Sequence, residues 1–551
     1  MTRQFIPRAN ACIRLARRCL LAMLAVLPVI AAAAPPTPGS VRESLPGERP
    51  AAPPMPAQVL VPDQPGPTVH DRNGPRFQVH SFRFQGNTVF TTARLKQVVD
   101  RYRDLELNLY DLNVAADAVT EFYHDRGYTL ARAVIPPQKV EDGVVTLVVV
   151  EGRVGKVLFS GQKRYSAEFL RRQTPTLVPG SLVTTDHLER SLLLLNDLPG
   201  LKVRGTLSPG SEFGRSDVLV KVEEKPLGFN LNVDNTGRKE TGRGRVDANL
   251  DINNPLTLGD QFSLRGMATD KGLTRYAKVA YSLPLNDDGL RLSLAQSEVY
   301  YDVAGVFAAL GLDGTARSTE ASLQYPLVRS RGENRTLTFG YRDTRLSQRA
   351  FKTEISSSRL PLFTAGYQYN GVGEDASVST FSLQLASNFK HNAGGLRQDA
   401  EFARIEIDGN HLQPLDRLWD VYLRGNLVVG TERLPDSEKF SVGGPGSVRA
   451  YRSSELRGDA GAQGTLEFRR RLSLLSMAGT LAVFGDLGRV IYKGPALSDA
   501  WESISGAGVG LTLYPTSKTT LKIEAAVPMG GKYRASDGEK SRLWASFSAS
   551  F

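Results

Sequence analysis

An arginine and an aspartate in the last quarter of this 551-residue chain are placed to do charge chemistry with each other. Val448-Arg449-Ala450-Tyr451 sits inside the glycine-rich stretch Gly443 to Gly461, which has no apolar run with which to bury itself. If that stretch turns inward, Arg449 needs an acid, because a charge taken from bulk water is costly unless paired. The run Leu481-Ala482-Val483-Phe484-Gly485-Asp486-Leu487-Gly488 offers one. Period-2 alternation sends Leu481, Val483 and Leu487 to one face and Phe484, Asp486 and Gly488 to the other. Asp486 can then accept a bidentate bond from Arg449. Phe484 can pack on the loop tip, and Gly488 leaves room for backbone to approach. Glu467 and Arg469 lie close by in the same pattern and form a second tier. Screened from water, such a pair loses roughly 3–5 kcal/mol when one partner is removed; wet, about 1 kcal/mol or less.

Covalent and metal chemistry find no comparable support. The chain has no GxSxG serine elbow, no HExxH pair and no GxxxxGK[ST] phosphate loop. Its six histidines (His70, His80, His124, His187, His391, His411) are scattered, and both cysteines, Cys12 and Cys19, fall in the first segment. No enzyme, cofactor or metal is expected. The formal net charge of +11 includes five arginines in residues 1–18, and without them it is 11 − 5 = +6. That is mild for this length, so nucleic acid is not an expected partner.

What must position the two motifs is a run of short alternating segments from residue 227 to the end. Val246, Ala248, Leu250 and Ile252 are apolar, while Arg245, Asp247, Asn249 and Asp251 between them are polar. Leu543, Ala545, Phe547, Ala549 and Phe551 repeat the pattern against Arg542, Ser546, Ser548 and Ser550, with Trp544 breaking it. Strands with one apolar and one charged face fit lipid outside and water inside. A soluble sandwich would need a continuous buried core that these faces cannot supply. About sixteen segments of 8–12 residues predict a transmembrane antiparallel β-barrel over 227–551. Short links at Asn253–Pro255, Pro284–Asp288, Arg329–Glu333 and Tyr514–Ser517 alternate with long ones at Tyr301–Arg317, Leu346–Arg359 and 431–463. The last is the sixth and longest outer link and holds the Arg449 motif. Arg469-Arg470-Arg471 is placed at an inner strand end, facing headgroups or solvent.

Upstream, residues 1–33 read as a secretory signal peptide: basic, then apolar over Cys19–Ile30, then small residues for cleavage after Ala33. Residues 34–76 are proline-rich, with 11 prolines between 35 and 70, and are expected to be an extended linker. Only a short helix around Val41–Leu45 is possible there. Residues 77–152 and 153–226 look like two copies of one α+β unit. Each opens with a strand ending Phe-x-Gly-[Asn/Gln], at Phe84 to Asn87 and Phe159 to Gln162. Each continues with two helices (Thr92–Tyr102 and Asn113–Asp125; Ser166–Gln173 and Thr185–Asp197) and closes on Val144–Glu151 or Asp217–Glu224. Such units present a strand edge that either accepts an extended peptide or is covered.

The residues quoted above carry a resemblance. Val448-Arg449-Ala450-Tyr451 is similar to the lid-loop motif Val-Arg-Gly-[Tyr/Phe] of the two-partner secretion transporters, the TpsB family. Phe484, Asp486 and Gly488 match that family's Phe-x-Asp-x-Gly wall motif, and Ala450 stands where many members have glycine. The resemblance implies α+β periplasmic repeats (polypeptide-transport-associated, or POTRA, units) followed by a sixteen-stranded barrel in the outer membrane of a Gram-negative bacterium. It implies a lid loop over 431–463, a possible plug helix in the linker, and a C-terminal membrane-insertion signal at Phe547 and Phe551. The implied partners are outer-membrane lipid and a large secreted exoprotein (adhesin, haemolysin or toxin), carried unfolded and without ATP by a single chain. An insertase of outer-membrane barrels is the alternative that the superfamily implies.

Overall fold

The structure, a computed structural model, describes residues 35–43, 45, 59–60, 74–388, 401–493, 500–530 and 535–551. The expected signal peptide and its two cysteines lie outside the described residues.

Two α/β units come first. In one, Ser81–Gln85 runs parallel to Val144–Val150, which pairs antiparallel with Arg132–Val134. The small pair Phe77–Val79 and Leu105–Leu107 stands beside it. Among the helices, α1 is Pro38–Glu43 in the linker, α2 Thr92–Val99 and α3 Leu109–His124 in the first unit, and α4 Ala167–Arg172 and α5 Thr185–Asn196 in the second. Leu112, Ala115, Ala116, Val119 and Tyr123 of α3 recur at helical spacing and are buried against Phe82, Phe84, Val145 and Leu147. Helix α3 starts at Leu109, four residues before the expected Asn113, because Asn108 and Asp111 form a capping box. The stretch expected as one helix to Tyr102 is α-helical to Val99 and ends in a 3₁₀ turn.

The repeat holds at the level of single atoms. Gly86 (φ +81) and Gly161 (φ +89) each pass so close to a strand carbonyl, of Val149 and Val222, that a Cβ would lie 2.4 Å from its oxygen. Only glycine fits such a position. Two residues beyond those carbonyls, Glu151 accepts from the N–H groups of Thr88 and Val89 at 2.6 and 2.7 Å. Glu224 likewise accepts from Lys163, Arg164 and Tyr165 at 2.8, 2.9 and 3.1 Å. In the second unit the outer edge of Leu201–Pro209 is partly covered, since Val59–Leu60 pairs with Gly205 and Thr206 in parallel.

Sixteen strands then close into a barrel. They are β1 Leu227–Asp234, β2 Arg245–Asn253, β3 Gln261–Thr269, β4 Thr274–Pro284, β5 Arg291–Asp302, β6 Asp313–Arg329, β7 Glu333–Ala350, β8 Thr353–Val372, β9 Val378–Ser387, β10 Ala403–Pro414, β11 Trp419–Gly430, β12 Ala460–Leu474, β13 Met477–Tyr492, β14 Ala500–Thr516, β15 Thr519–Met529 and β16 Arg542–Ser550. Neighbours pair antiparallel, and β1 meets β16 from Asn230–Ser550 to Asp234–Ser546. Phe551 continues this seam, donating its N–H to Phe229 O at 2.8 Å. The short turns dock on the second α/β unit through Arg329–Asp197 at 2.6 Å, Arg331–Glu189 at 2.7 Å and Arg190–Asp288 at 2.8 Å.

One expected long link holds and one is strand instead. Between β5 and β6 the chain is a link with a 3₁₀ turn at Gly305–Leu310, though β6 already starts at Asp313. Leu346–Arg359, by contrast, is a hairpin of β7 and β8 with only Phe351 and Lys352 (φ 49 and 63) at its tip. Beyond the lipid band both faces of these strands are polar, so alternation of polarity vanishes while the strands continue. Ion pairs Arg317–Glu298 (2.8 Å), Arg349–Asp313 (2.7 Å) and Arg359–Asp343 (2.8 Å) zip the extension. At 18 and 20 residues, β7 and β8 exceed what a bilayer requires.

Helix α1 lies inside the barrel. Val41 is buried with Val299, Tyr301 and Val303 of the β5 side and Ala316 of β6. Six residues are too few for a helix to persist alone, so this packing, rather than propensity in a proline-rich segment, accounts for it.

Candidate functional site

The link between β11 and β12 folds back into the lumen. A hairpin of Phe440–Val442 with Leu456–Gly458 forms its stem. Gly443 (φ +112) and Gly444 (φ +98) turn the chain at the top of that stem. A Cβ on Gly443 would stand 2.4 Å from Arg452 O, so the turn needs glycine. The Gly444 N–H then reaches the carbonyls of Val448 and Tyr451 at 3.2 and 3.1 Å, winding the tip and pointing Arg449 at the wall.

Arg449 is 3 % exposed and meets three carboxylates. Its Nε and Nη2 donate to Asp486 Oδ2 and Oδ1 at 2.9 and 2.7 Å, and its backbone N–H to Oδ2 at 3.1 Å. Its Nη1 donates to Glu467 Oε1 at 2.7 Å and to Glu524 Oε1 at 2.8 Å. The guanidinium carbon lies 3.2 Å from the centre of the Phe484 ring, a cation–π stack. Thr465 Oγ1 donates to Asp486 Oδ1 at 3.0 Å, and the Trp544 indole N–H donates to Arg449 O at 2.7 Å. Three buried acids around one arginine would leave excess negative charge, and two further cations offset it. Arg469 Nε reaches Glu467 at 2.7 Å and Lys522 Nζ reaches Glu524 at 2.9 Å, so three cations face three carboxylates.

The Arg449–Asp486 pair thus lies where alternation along β13 puts it, with Leu481, Val483 and Leu487 exposed on the outer face. Glu467, ranked second from the sequence, is a direct ligand of Arg449, and Arg469 supports it from behind. Three details differ from expectation. Phe484 lies under the guanidinium as well as packing on the loop. The space at Gly488 is filled by loop side chains, not backbone: a Cβ there would stand 2.4 Å from Val442 Cγ1 and 3.0 Å from Val448 Cγ2. Of Arg469–Arg471, expected at headgroups or solvent, Arg469 turns inward as its second-tier place beside Glu467 implied and stacks 3.8 Å over Tyr422, and Arg471 lies 3.4 Å from Asp420.

Several residues of the site escaped the sequence reading. Glu524 and Trp544 face each other across β15 and β16 and could be placed only through that register. Trp544 did leave a signal, as the one large apolar side chain on the polar face of its strand. The Gly506-x-Gly508-x-Gly510 run on β14 was a signal too. It forms a bare trough where a Cβ on Gly506 would stand 2.5 Å from Ala450 Cβ, and one on Gly508 would stand 2.6 Å from Phe484 Cζ. Ala450 sits in this trough, and its φ lies outside the left-handed region, so the methyl group is accommodated without strain.

A second layer ties the lid to other outer loops. Arg452 pairs with Glu455 at 2.9 Å and Glu240 at 3.3 Å, and the Ser536 N–H reaches Glu455 at 2.6 Å. Helix α1 is tied to the lid as well, through Thr37 to Asp436 and Arg42 to Glu438 (3.9 Å), while Arg342 holds Glu438 at 2.6 Å.

Comparison with known proteins gives the family and the fold. The family model of the haemolysin secretion/activation protein ShlB/FhaC/HecB matches residues 214–513, and that of the ShlB-type POTRA domain matches residues 77–152. The heme/hemopexin transporter protein HuxB of Haemophilus influenzae is 25% identical over 485 residues, covering 85% of this chain and 86% of that protein. The outer membrane transporter CdiB of Escherichia coli is 26% identical over 424 residues, covering 74% and 71%. Among solved structures, CdiB from Escherichia coli superposes over 100% of both chains with TM-score 0.70 at 21% identity. BamA from Haemophilus ducreyi lacking POTRA domains 1-3 has TM-score 0.53 at 16% identity, covering 86% of this chain and 100% of that one.

Proposed function

Because the chain belongs to the ShlB/FhaC/HecB family of haemolysin secretion/activation proteins, we propose that its docked lid loop gates the passage of one large unfolded exoprotein to the cell surface. The protein is an outer-membrane β-barrel transporter of the two-partner secretion type with periplasmic POTRA units, and its family is not one of enzymes. The observation that carries the gating proposal is Arg449 seated on three carboxylates from three different strands. A buried arginine so held keeps the loop in one position, and loss of either side leaves uncompensated charge.

In this reading the lid and α1 together occupy the resting lumen, and an extended exoprotein segment engages the POTRA units by strand addition, in competition with Val59–Leu60. A single chain forms the pore, and folding of the cargo outside supplies direction without ATP.

The test is a chromosomal Arg449→Ala variant with quantitative proteomics of supernatant and outer membrane. Loss of one or two large exoproteins, with normal barrel levels, is the expected result. Normal secretion sinks the gating role. A joint fall of many outer-membrane barrels would instead identify an insertase.

A further inference from the structure

On the outer wall, the extension of β6, β7 and β8 that the sequence hid as loops carries an arginine row. Register puts Arg345 directly opposite Arg317 on one side and Arg359 on the other. All three alternate with the inward-facing residues Ser318, Thr344 and Leu360, which are buried, so the arginines point away from the lumen. Like charges placed opposite one another across strands destabilise a sheet unless something answers them. Arg317 is answered by Glu298 and Arg359 by Asp343. Arg345 has no carboxylate within ion-pair distance among the described residues.

Immediately below, on the same wall, lies a groove of about 520 Å³ with almost no polar lining. Its walls are Phe339, Phe363, Leu385 and Ile405, which are 56, 53, 44 and 40% exposed. Its floor is formed by the small residues Ala365, Ser387 and Ala403. Phe363 and Arg359 stand on the same face of β8 four residues apart, or about 13 Å along the strand. Tyr341 packs on Phe363 with ring centres 5.2 Å apart, an exposed aromatic pair of the kind that flanks the apolar band of outer-membrane barrels. An apolar groove ending at an aromatic pair, with guanidinium groups one outward-facing pair further on, past Pro361 and the Asp343 that Arg359 neutralises, matches an amphiphile with acyl chains and phosphate.

We infer that the Arg317–Arg345–Arg359 row and the groove beneath it form a binding site for a phosphorylated lipid of the outer leaflet. One acyl chain lies on Ala365 between Phe363 and Leu385, and the headgroup phosphate meets Arg345, which has no carboxylate partner among the described residues. Guanidinium is suited to this by its planar fork of donors. The site is separate from the lid and does not depend on the gating proposal.

The test uses full-length protein in neutral detergent, titrated with bisphosphorylated lipid A and followed by native mass spectrometry. Wild type is expected to retain one lipid per barrel. Arg345→Ser should weaken retention about fivefold, and Arg345→Lys should restore part of it. Ala365→Trp, which fills the groove, should weaken it as well, whereas Arg335→Ser at the opposite end of β7 should bind as wild type. Heat-modifiable migration checks that each barrel is folded; if Ala365→Trp fails that check, Arg359→Ser takes its place. Equal retention by wild type and Arg345→Ser overturns the site. Displacement of the lipid by inorganic phosphate at equal concentration also overturns it, since that outcome identifies an anion site and not a lipid site.

Discussion

Trp544 of β16 donates its indole N–H to the main-chain carbonyl of Arg449 at 2.7 Å. The last strand of the barrel, which also pairs with the first, is thereby joined to the tip of the lid. The contact explains why an indole stands on the polar face of β16. The buried ring stands opposite Glu524 in the strand register, and its one donor is satisfied by the lid carbonyl. Trp419 and Trp501, by contrast, are 41 and 57% exposed on the barrel surface.

Undocking of the lid should therefore be visible at Trp544 alone. In a Trp419→Phe/Trp501→Phe background, Arg449→Ala should red-shift the remaining tryptophan emission, since the cluster loses roughly 3–5 kcal/mol of docking free energy. Adding Asp486→Asn and Glu467→Gln to Arg449→Ala should recover part of the blue-shifted signal by removing the stranded charges. An unchanged spectrum in the single variant would mean that the remaining lid contacts suffice to hold it.

The glycines of the wall predict a steric counterpart. Gly506→Val places methyl groups where Ala450 Cβ now sits, and Gly488→Val does so against Val442. Overpacking of this kind costs about 1–3 kcal/mol. Both variants should insert as barrels yet leave the lid open to protease added outside cells, while Gly485→Val, where a Cβ meets open space, should protect it as in wild type.

Conductance should report the tie between α1 and the lid. Glu438 serves both Arg42 of the helix (3.9 Å) and Arg342 of β7 (2.6 Å). Glu438→Gln should loosen the helix and raise open probability in planar bilayers. Arg42→Ala should act in the same direction with smaller effect, because its longer ion pair leaves Glu438 satisfied by Arg342.

The POTRA pair predicts a pH dependence. Burial pushes the Glu151 carboxyl up, but the Thr88 hydroxyl and the Val89 and Thr88 N–H groups outweigh it and hold its pKa below the ordinary glutamate value. Glu224 is held down in the same way by Lys163, Arg164 and Tyr165. A folded-state pKa below the unfolded one contributes stability that is complete above the unfolded value and is lost as pH falls through the folded value. Proteolysis of residues 77–224 in the full-length protein should thus accelerate as pH drops through the acidic carboxylate range. Glu151→Gln should be more susceptible at neutral pH and show a flatter profile below it.

Legibility followed local physics. Alternation placed β13 and aimed Phe484, Asp486 and Gly488 inward without knowledge of any neighbour, and the Phe-x-Gly repeat located both α/β units. It failed where the second face of a strand met water instead of lipid, as in the outer parts of β6 to β8, because a strand polar on both sides leaves no period to detect. It failed also for α1, whose sequence is a poor helix former and whose buried Val41 contacts β5 and β6, which lie more than two hundred residues away.

By itself the sequence determined that strands with one lipid face and one wet face must close on themselves, since a barrel leaves no unpaired edge in a bilayer. It also determined that an inward-turning Arg449 needs an acid. Only the tertiary structure decided that the acid would be three, from β12, β13 and β15, with a tryptophan from β16 above them and a glycine trough on β14 between. Those five strands are brought to one height by shear and register, and register is a property of pairing between strands, which no single strand encodes.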